Sequence, residues 1–312
     1  MRVLLIKTSS LGDVVHALPA VNDAVEAGCE IDWVVEEAFA EIVELHSGVS
    51  KVIPIAWRRW RKSLFSSLKE IKEFKGELSS KHYDICLDSQ GLIKSAVWGL
   101  VSDSDSRVGF DYGSAREPLV SLLYHRKIPI PKDLHAIDRQ RELFSQALNY
   151  RFRGESNPGI NKSGQAKRQI FLLHGTTWES KRWPLDHWRT LVKKAKSEGF
   201  DVLVSWGNEF EQVDAEKIVA GSGATLLPKM ALKQLAVKLS ESQIVVGVDT
   251  GLVHLSAALG VPTLGLYGPT SVELTGCRGP RADNLKSISG MEAISPEMVW
   301  SRIQRLGVLT SS

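Results

Sequence analysis

The sequence has few cysteines and no long apolar run. Its three cysteines, Cys29, Cys86 and Cys277, show no CxxC spacing, which argues against a disulfide framework and against a zinc site. No apolar stretch approaches the ~18 residues of a membrane-spanning helix, and the opening MRVLLIK is too short for a signal peptide. We therefore expect a protein that is neither exported nor membrane-spanning, with its cysteines buried as small apolar groups in a reducing compartment.

The sequence also lacks an extreme charge and several familiar motifs. A net charge of +3 is compatible with an anionic substrate or surface but does not indicate nucleic-acid binding. The GxGxxG spacing of dinucleotide sites, the GxxxxGK[ST] of P-loops and short-period repeats are all missing. With 312 residues, 43% of them hydrophobic and 24% charged, the chain is long enough for two globular domains with separate cores.

Two successive α/β patterns make up most of the chain. In each half, short β-branched runs alternate with segments of helical spacing, which predicts a parallel sheet with helices on both faces. The polar, glycine-containing stretch 151–167 is the best linker candidate. We predict two Rossmann-like, doubly wound domains, 1–155 and 165–312, that face a central cleft.

The predicted elements follow from this alternation. Strands are expected at 3–6, 31–35, 52–55, 85–88, 169–173, 202–205, 244–247 and 263–266. Helices are expected at 13–27, 37–46, 66–79, 186–197, 209–219 and 232–240, with another from residue 251. Since ligands of open parallel sheets bind beyond the carboxyl ends of the strands, the functional residues should follow strands directly.

The first chemical cluster, KTSSLGD at residues 7–13, follows the first predicted strand. A small, glycine-containing loop that enters a helix offers backbone N–H groups to an anion. Asp13 is either a helix cap or first-turn carboxylate, or a general base at the edge of a cleft. The spacing alone leaves both interpretations open.

The second cluster, WRRWRK at residues 57–62, places four positive charges directly after the strand 52–55. Guanidinium groups bind carboxylates and phosphates through paired hydrogen bonds, and tryptophan rings suit a membrane interface. The alternative is a solvated basic face. Because the charges are concentrated at the end of a strand, we favour an anionic ligand.

The third cluster is FLLHGTTWESKRWP at residues 171–184. Hydroxyl groups and a lysine at the end of a strand suit a diphosphate whose negative charge grows as it departs. The same pattern is also compatible with an ordinary loop that ends at a helix-initiating Pro184.

The fourth cluster, VGVDTGLVHLSAA at residues 246–258, ends a strand in Asp-Thr-Gly and begins a helix. Backbone N–H groups at such a helix start point toward a phosphate. Aspartic proteases also carry Asp-Thr-Gly, but they need two such carboxylates that share a proton in an all-β setting. A single copy in an α/β pattern excludes that class.

In this order the clusters resemble glycosyltransferase family 9, the lipopolysaccharide heptosyltransferases. The resemblance runs over nearly the whole chain, through KTSSLGDVVHALPA, WVVEE, VIPIAWRRWRK, DSQGLIKS, SAREPL, KRWP and VDTGLVHLSAALGVPTLGLYGPT. Each short motif is weak, whereas the ordered set is specific. The opening KTSSLGD is similar to the branch of the family that adds the first heptose.

The resemblance implies an inverting transferase of GT-B fold that moves a heptose from ADP-L-glycero-β-D-manno-heptose to Kdo2-lipid A without metal or cofactor. It implies Asp13 as the general base and Lys181 as a catalytic group beside the leaving diphosphate. The implied donor-binding residues are Thr176, Thr177, Lys181, Glu211, Met230, Asp249, Thr250, Gly251 and His254. The implied acceptor-binding residues are Lys7, Ser10, Arg58, Arg59, Arg61, Lys62, Arg116, His135 and Arg139.

Two of the implied donor residues have an alternative interpretation. A carboxylate beside a diphosphate would repel it, so we expect Asp249 to contact sugar hydroxyls or to brace its turn. His254, one turn into its helix, is either a ligand contact or a structural side chain. Lys181 and the helix start at Gly251 could together offset the charge on the departing ADP.

For the whole protein we expect a cytoplasmic monomer in peripheral contact with the inner face of the inner membrane, with no nucleic-acid partner. Three alternatives are a transferase for another nucleotide sugar, a non-hydrolysing nucleotide-sugar epimerase and a catalytically silent nucleotide-sugar-binding protein. The basic cluster argues against the epimerase, which has no large anionic acceptor to hold. Asp13 beside a complete donor set argues against the silent protein.

Overall fold

The computed structural model describes residues 1–306 and divides into two compact units. The first unit is Met1–Ile160, and the second begins at Asn161, inside the predicted linker. Within the described residues each unit contains a parallel six-stranded sheet with helices packed against it, which confirms the predicted α/β fold class. Residues 307–312 of the predicted second domain lie outside the described part of the chain.

The sheet of the first unit has the strand order β3-β2-β1-β4-β5-β6, with all neighbours parallel. The strands are β1 (Arg2–Ile6), β2 (Glu30–Glu36), β3 (Val49–Ile55), β4 (Tyr83–Asp88), β5 (Ser104–Phe110) and β6 (Arg126–Ile128). The first four were predicted. The central strand β1 is an uninterrupted apolar run because it is covered on both faces and paired on both edges.

Six α-helices and two 3-10 helices connect these strands. The α-helices are α1 (Leu11–Glu26), α2 (Ala40–Val43), α3 (Trp57–Trp60), α4 (Leu64–Ser79), α5 (Ile93–Gly99) and α6 (Ala136–Leu148). The 3-10 helices are Glu37–Phe39 and Pro118–Leu123. The predicted helix 37–46 is therefore wrong in type over its first turn, and it is too long at its end because α2 ends at Val43.

The second unit repeats the architecture with the strand order β12-β11-β10-β7-β8-β9. Its strands are β7 (Lys167–Leu173), β8 (Asp201–Val204), β9 (Thr225–Leu226), β10 (Ser242–Val248), β11 (Thr263–Tyr267) and β12 (Ala282–Lys286). Its α-helices are α7 (Leu185–Ser197), α8 (Glu209–Val219), α9 (Leu232–Ser240), α10 (Gly251–Ala258), α11 (Val272–Thr275) and α12 (Pro296–Arg305). Two 3-10 helices, Glu179–Lys181 and Met291–Ala293, complete this unit.

Each unit has its own aromatic-rich core. In the first unit, Trp60, Phe74 and Trp98 pack edge-on over the sheet, with ring centroids 5.1–6.0 Å apart. In the second, Trp183 and Trp188 pack at right angles with centroids 4.7 Å apart. These cores hold the strand ends, and therefore the loops that follow them, in fixed positions.

One of the three cysteines departs from the expectation that all of them are buried. All three cysteines are free, and Cys86 and Cys277 are buried as predicted, whereas Cys29 is partly exposed. Among residues 1–306, no helix combines the length and apolar character that crossing a membrane requires.

Candidate functional site

Lys7 lies at the carboxyl end of β1, at the centre of the first sheet. Only 4% of it is exposed, and its Nζ donates a hydrogen bond to the carbonyl oxygen of Ser89 at 3.1 Å. Burial lowers the pKa of Lys7, while the opposite charges of Asp13 and Asp88 act to raise it. Arg139 and Arg116 add like charge near the same ammonium group. The cluster therefore brings together five charged groups from the carboxyl ends of β1 and β4, the start of α1, the loop after β5 and the helix α6.

Asp13 is the third residue of α1, and its carboxylate turns back toward the helix start. The N–H and the hydroxyl of Ser10 both donate to Asp13 Oδ2, at 2.7 and 2.9 Å. Asp13 thus acts as a first-turn carboxylate, which was one of the two interpretations of its position. Because both hydrogen-bond donors are neutral and only one carboxylate oxygen accepts them, this contact is compatible with service as a base as well.

Gln90 holds the loop between β1 and α1. Its Oε1 accepts hydrogen bonds from the backbone N–H groups of Thr8 and Ser9, each at 3.1 Å. Gln90 follows β4, and its own N–H donates to Asp88 Oδ1 at 2.8 Å. Asp88 is buried, and burial raises its pKa although the hydroxyl of Tyr124 and the N–H of Gln90 stabilise its charge. Gln90 was not predicted as a site residue.

The other predicted acceptor residues near Lys7 differ in their exposure. Arg116 is exposed, and Arg139 donates through Nη2 to the carbonyl of Ser114 at 2.9 Å. His135 is buried at the start of α6, where its Nδ1 accepts the N–H of Ile137 at 3.1 Å. This contact caps the helix, so the histidine has a structural role that the sequence did not predict.

The basic segment, defined as residues 57–62, forms α3 and the turn after it. Arg58 and Arg61 line a cavity of about 340 Å³ together with Trp57, Lys94 and Glu36. Burial raises the pKa of Glu36, although the backbone N–H and the charge of Arg58 oppose this. The loop residues Thr8 and Ser9 complete one wall. The cavity therefore adjoins the loop that leads into α1, the helix that carries Asp13.

Arg59 departs from the expectation that all four cations of this segment face an anionic acceptor. Its guanidinium is bound by Glu37 at 3.2 Å and by Glu70 at 2.9 Å. Both carboxylates come from neighbouring helical turns, which the local sequence pattern does not reveal. Lys62 is exposed and does not line the cavity. Lys94 lines the cavity instead. The feature of the sequence that points to Lys94 is its position after β4, in the motif DSQGLIKS.

In the second unit, Lys181 and Asp249 form a close ion pair. Lys181 Nζ lies 2.6 Å from Asp249 Oδ2, and His254 Nε2 lies 3.6 Å from Asp249 Oδ1. Lys181 follows β7 and Asp249 follows β10, which is paired with β7 so that Leu173 lies opposite Gly247. The carboxyl ends of two adjacent strands therefore bring together three predicted donor residues.

Electrostatics keeps Asp249 ionised. Burial acts to raise its pKa, but hydrogen bonds with His254, Lys181 and Thr270 and the charge of Lys181 outweigh this and hold the pKa at about 2. A carboxylate so compensated does not present an uncompensated negative charge to a diphosphate. The expectation that Asp249 braces its turn is compatible with this geometry, and the pairing with Lys181 was not foreseen.

The start of α10 lies next to this pair. Thr250 caps the helix in an extended conformation, and Gly251 is its first residue. Thr250 and Gly251 are partly exposed, so the first backbone N–H groups of this eight-residue helix lie close to the surface. A cationic side chain and a helix start therefore lie at one edge of the sheet, where both favour a negatively charged group.

A cavity of about 370 Å³ adjoins the carboxyl end of β7. Two predicted donor residues, Thr176 and Glu211, line it. Glu211 packs over Gly175, where an added Cβ would lie 2.6 Å from the carboxylate carbon and one of its oxygens, so a larger residue at this position would displace the Glu211 side chain. His174 is buried beside them, and burial lowers its pKa. The cavity therefore has a mixed polar and aromatic wall, in which the Glu211 carboxylate accepts a hydrogen bond from the backbone N–H of Gly207 at 2.8 Å.

The remaining donor predictions lie on the surrounding loops. Thr177 is exposed on the loop after β7, and Met230 is partly buried just before α9. The cavity is also lined by residues that sequence reasoning did not select, namely His174, Glu179, Arg182, Trp183, Leu185, Asp214 and Glu292. Several of them stand in the quoted cluster 171–184, whereas Asp214 and Glu292 come from elements with no motif.

Among residues 1–306, no group of three or more His, Cys, Asp or Glu side chains is arranged to hold a metal ion. The cation at the predicted donor site is Lys181. That the reaction needs no metal stays a prediction.

The sequence profile of "Glycosyltransferase family 9 (heptosyltransferase)" matches residues 71–302. Lipopolysaccharide heptosyltransferase 1 of Pseudomonas aeruginosa is 44% identical over 290 residues, which cover 89% of this chain and 82% of that protein. The chain belongs to glycosyltransferase family 9. Its resemblance to this family, predicted from the ordered motifs, is thereby confirmed.

Solved structures of a family 9 enzyme are similar over almost the full chain. The structure of E. coli heptosyltransferase WaaC with ADP has a TM-score of 0.92 and 40% identity, covering 98% of this chain and 100% of that one. The structure of the same enzyme with ADP-2-deoxy-2-fluoro heptose has a TM-score of 0.89 and 39% identity, covering 98% and 99%. These similarities confirm the GT-B fold and the assignment as a glycosyltransferase.

Proposed function

We propose that this family 9 glycosyltransferase moves L-glycero-D-manno-heptose from ADP-heptose to the first Kdo of Kdo2-lipid A, in the assembly of the lipopolysaccharide inner core. The observation that carries the proposal is the 44% identity to a lipopolysaccharide heptosyltransferase 1 over 89% of the chain. The complexes of WaaC with ADP and with a fluorinated ADP-heptose support the donor. The family match favours this activity over the epimerase alternative.

In the second unit, we assign the leaving group to the ion pair and the helix start. The bond between the anomeric carbon and the diphosphate oxygen breaks, and both of its electrons stay on ADP. Lys181 and the N–H groups at Gly251 would face that growing charge, while Asp249 holds Lys181 in place at 2.6 Å. Fixed dipoles and a fixed cation stabilise such charge without reorganisation during the reaction.

In the first unit, we assign proton removal to Asp13. The acceptor hydroxyl attacks the anomeric carbon on the face opposite the departing diphosphate, so the configuration at that carbon inverts, and the hydroxyl passes its proton to the carboxylate. Lys7 interacts electrostatically with Asp13, and Arg116 and Arg139 add positive charge near the same lysine. Carboxylates and phosphates of an inner-core acceptor are the groups that such a set recognises.

We further propose that the protein works in the cytoplasm, in peripheral contact with the inner face of the inner membrane. An acceptor that carries acyl chains resides in that leaflet. The exposed cations Arg58, Arg61 and Lys62 supply attraction to anionic headgroups, which weakens as salt screens it. Because Arg59 is already paired with two carboxylates, we expect it to contribute least to the attraction to anionic headgroups.

The deciding experiment incubates the protein with ADP-heptose and Kdo2-lipid A and measures the acceptor's mass. One added heptose is the expected product. A parallel reaction with ADP-glucose or UDP-sugars tests the donor, and one with deacylated acceptor separates chemistry from membrane access. Transfer from another nucleotide sugar, with none from ADP-heptose, would overturn the donor assignment.

A further inference from the structure

One layer of the first unit is formed by α3, α4, α5 and the 3-10 helix Pro118–Leu123. The connections from β3 to β4, from β4 to β5 and from β5 to β6 all run toward the same edge of the sheet. Because crossovers between parallel strands are right-handed, these connecting elements lie on the same face of the sheet. Trp98 of α5 contacts both Trp60 of α3 and Phe74 of α4, with ring centroids 6.0 and 5.1 Å apart. The backbone N–H of Ile93 also donates to Glu117 at 2.7 Å, which ties α5 to the 3-10 helix.

The outer surface of this layer exposes an apolar stripe, defined as Ile93, Val97, Leu100, Leu119 and Leu122. The first three are spaced four and three residues apart, so they share one side of α5. Leu119 and Leu122 are three apart in a 3-10 helix, which also places them on one side. Between 43% and 70% of each side chain is exposed. The opposite side of α5 buries Ser95 and Gly99 against the sheet.

The start of α4 exposes three further apolar side chains, Leu64, Phe65 and Leu68, which together are called the apolar turn. Phe65 is 93% exposed, although aromatic side chains rarely face water so fully. The described residues contain seventeen exposed large hydrophobic side chains, and eight belong to the stripe and the turn. This concentration on one layer distinguishes the surface from scattered apolar exposure, and exposed apolar surface of this kind marks interaction sites.

An excess of positive charge accompanies the apolar turn in the same segment of the chain. Residues 57–79 contain seven basic and three acidic residues, an excess of four, whereas the whole chain has a net charge of +3. The three acids are each within ion-pair distance of a basic residue: Glu70 of Arg59, Glu73 of Lys69 and Glu77 of Lys51. Lys94 adjoins the stripe on α5. Leucine and phenylalanine beside lysine and arginine is the composition of surfaces that lie in a bilayer interface.

We propose that the apolar stripe and the apolar turn insert together between the lipids of an anionic membrane, with the surrounding cations at the headgroups. This inference rests on the proposed membrane contact and adds to it an apolar, salt-resistant component. A second copy of the chain fits this surface less well, because a two-fold contact would bring the same positive charges of both copies together.

The first test places a reporter in the stripe. Leu122→Cys, in a Cys29→Ser background, carries an environment-sensitive fluorophore, since Cys86 and Cys277 are buried. Vesicles of phosphatidylethanolamine and phosphatidylglycerol should shift its emission to the blue, and a quencher on the acyl chains should reduce it. The same label on Ile288→Cys, 96% exposed in the second unit, should show neither effect.

The second test removes the apolar groups. Val97→Ser/Leu119→Ser/Leu122→Ser should weaken vesicle binding in high salt by about a hundredfold or more, since each change removes an apolar contact with the acyl chains. A matched control, Val213→Ser/Val237→Ser/Ile288→Ser, exchanges three exposed apolar residues of the second unit and should bind normally. All variants should keep ADP affinity and transfer to deacylated acceptor.

Several outcomes would overturn the inference. A protein that binds vesicles while the label at position 122 stays in water contacts the membrane by another surface. Equal binding by the triple variant and the control leads to the same conclusion. A lower mass of the triple variant than of the wild type in lipid-free sedimentation assigns the surface to self-association. Absence of heptose transfer from ADP-heptose to any acceptor, in contrast, refutes the proposed function and not this surface.

Discussion

Asp13 and Asp249 occupy comparable places in the two units, but their partners differ. Each carboxylate lies after a buried parallel strand at the start of a helix, Asp13 after β1 and Asp249 after β10. The hydrogen-bond donors to Asp13 are the neutral N–H and hydroxyl of Ser10 within the same turn. Asp249 is paired with Lys181, 68 residues away in the chain, and lies beside His254.

This difference separates two uses of a carboxylate. A close ion pair stabilises the charged form, so a paired carboxylate is a weak base. The hydrogen bonds to Asp13 come from neutral groups within one turn and hold the carboxylate in position without an ion pair at hydrogen-bond distance. The geometry therefore assigns Asp249 to ordering a cation and leaves Asp13 for accepting a proton. Changing each residue separately tests this contrast.

The largest expected effect is that of Asp13→Asn. The amide keeps the size of the side chain and one acceptor for the Ser10 groups, but it cannot take a proton. Turnover should fall by ~10²-fold or more, with near-wild-type melting temperature and ADP-heptose affinity. Thermal unfolding, donor affinity and turnover should be measured on one preparation. A destabilised but active variant would reduce Asp13 to a helix-start carboxylate, and His135 would be the next base to test.

A somewhat smaller effect is expected for Lys181→Ala. If Lys181 faces the leaving diphosphate, turnover should fall by on the order of a hundredfold. ADP should also bind more weakly, because part of its charge is present before reaction. The matched control is Lys194→Ala, which removes a surface lysine paired with Glu198 in the same unit. Unchanged turnover in a folded Lys181 variant would remove this residue from the mechanism.

The smallest expected effect concerns the acid stability of the second unit. The pKa of Asp249 is about 2, below its usual 3.8, so the ion pair stabilises the folded state above pH 3.8 and this stabilisation is lost as pH falls toward 2. From that shift the contribution is roughly 2 kcal/mol. The difference in unfolding free energy between wild type and Asp249→Asn should shrink over this window. A difference that stays constant down to pH 2 would contradict the assigned pairing.

Burial explains which elements the sequence could predict. The strand β10 is covered on both faces, so it appears as the continuous apolar run IVVGV and was predicted. The strand β5 begins with the partly exposed residues SDSR, and this polar start hides it. The sequence predictions also leave out α6, although Ile137, Phe144 and Leu148 carry helical spacing.

The same limit applies to the candidate sites. The rule that ligands bind beyond strand ends indicated Asp13, Lys181 and Asp249 individually. The pairing of Lys181 with Asp249 depends on β7 lying beside β10, and strand order does not follow from apolar spacing. For Arg59, the carboxylate of Glu70 comes into reach only when α4 folds back on α3. The positions of the motifs along the sequence therefore predicted which loops carry the candidate residues, but not which of those residues contact each other.

The hydrogen bonds of Gln90 have a consequence for the electrostatic balance of the first unit. One neutral amide oxygen accepts both loop N–H groups, and it does so beside a buried ammonium that Asp13 and Asp88 already compensate. A carboxylate at position 90 could accept the same two bonds, but it would place a third negative charge next to Lys7. That charge would make Lys7 less available to an anionic acceptor. The amide of Gln90 therefore holds the loop through two hydrogen bonds without adding negative charge beside Lys7, so the charge of Lys7 stays available to the substrate.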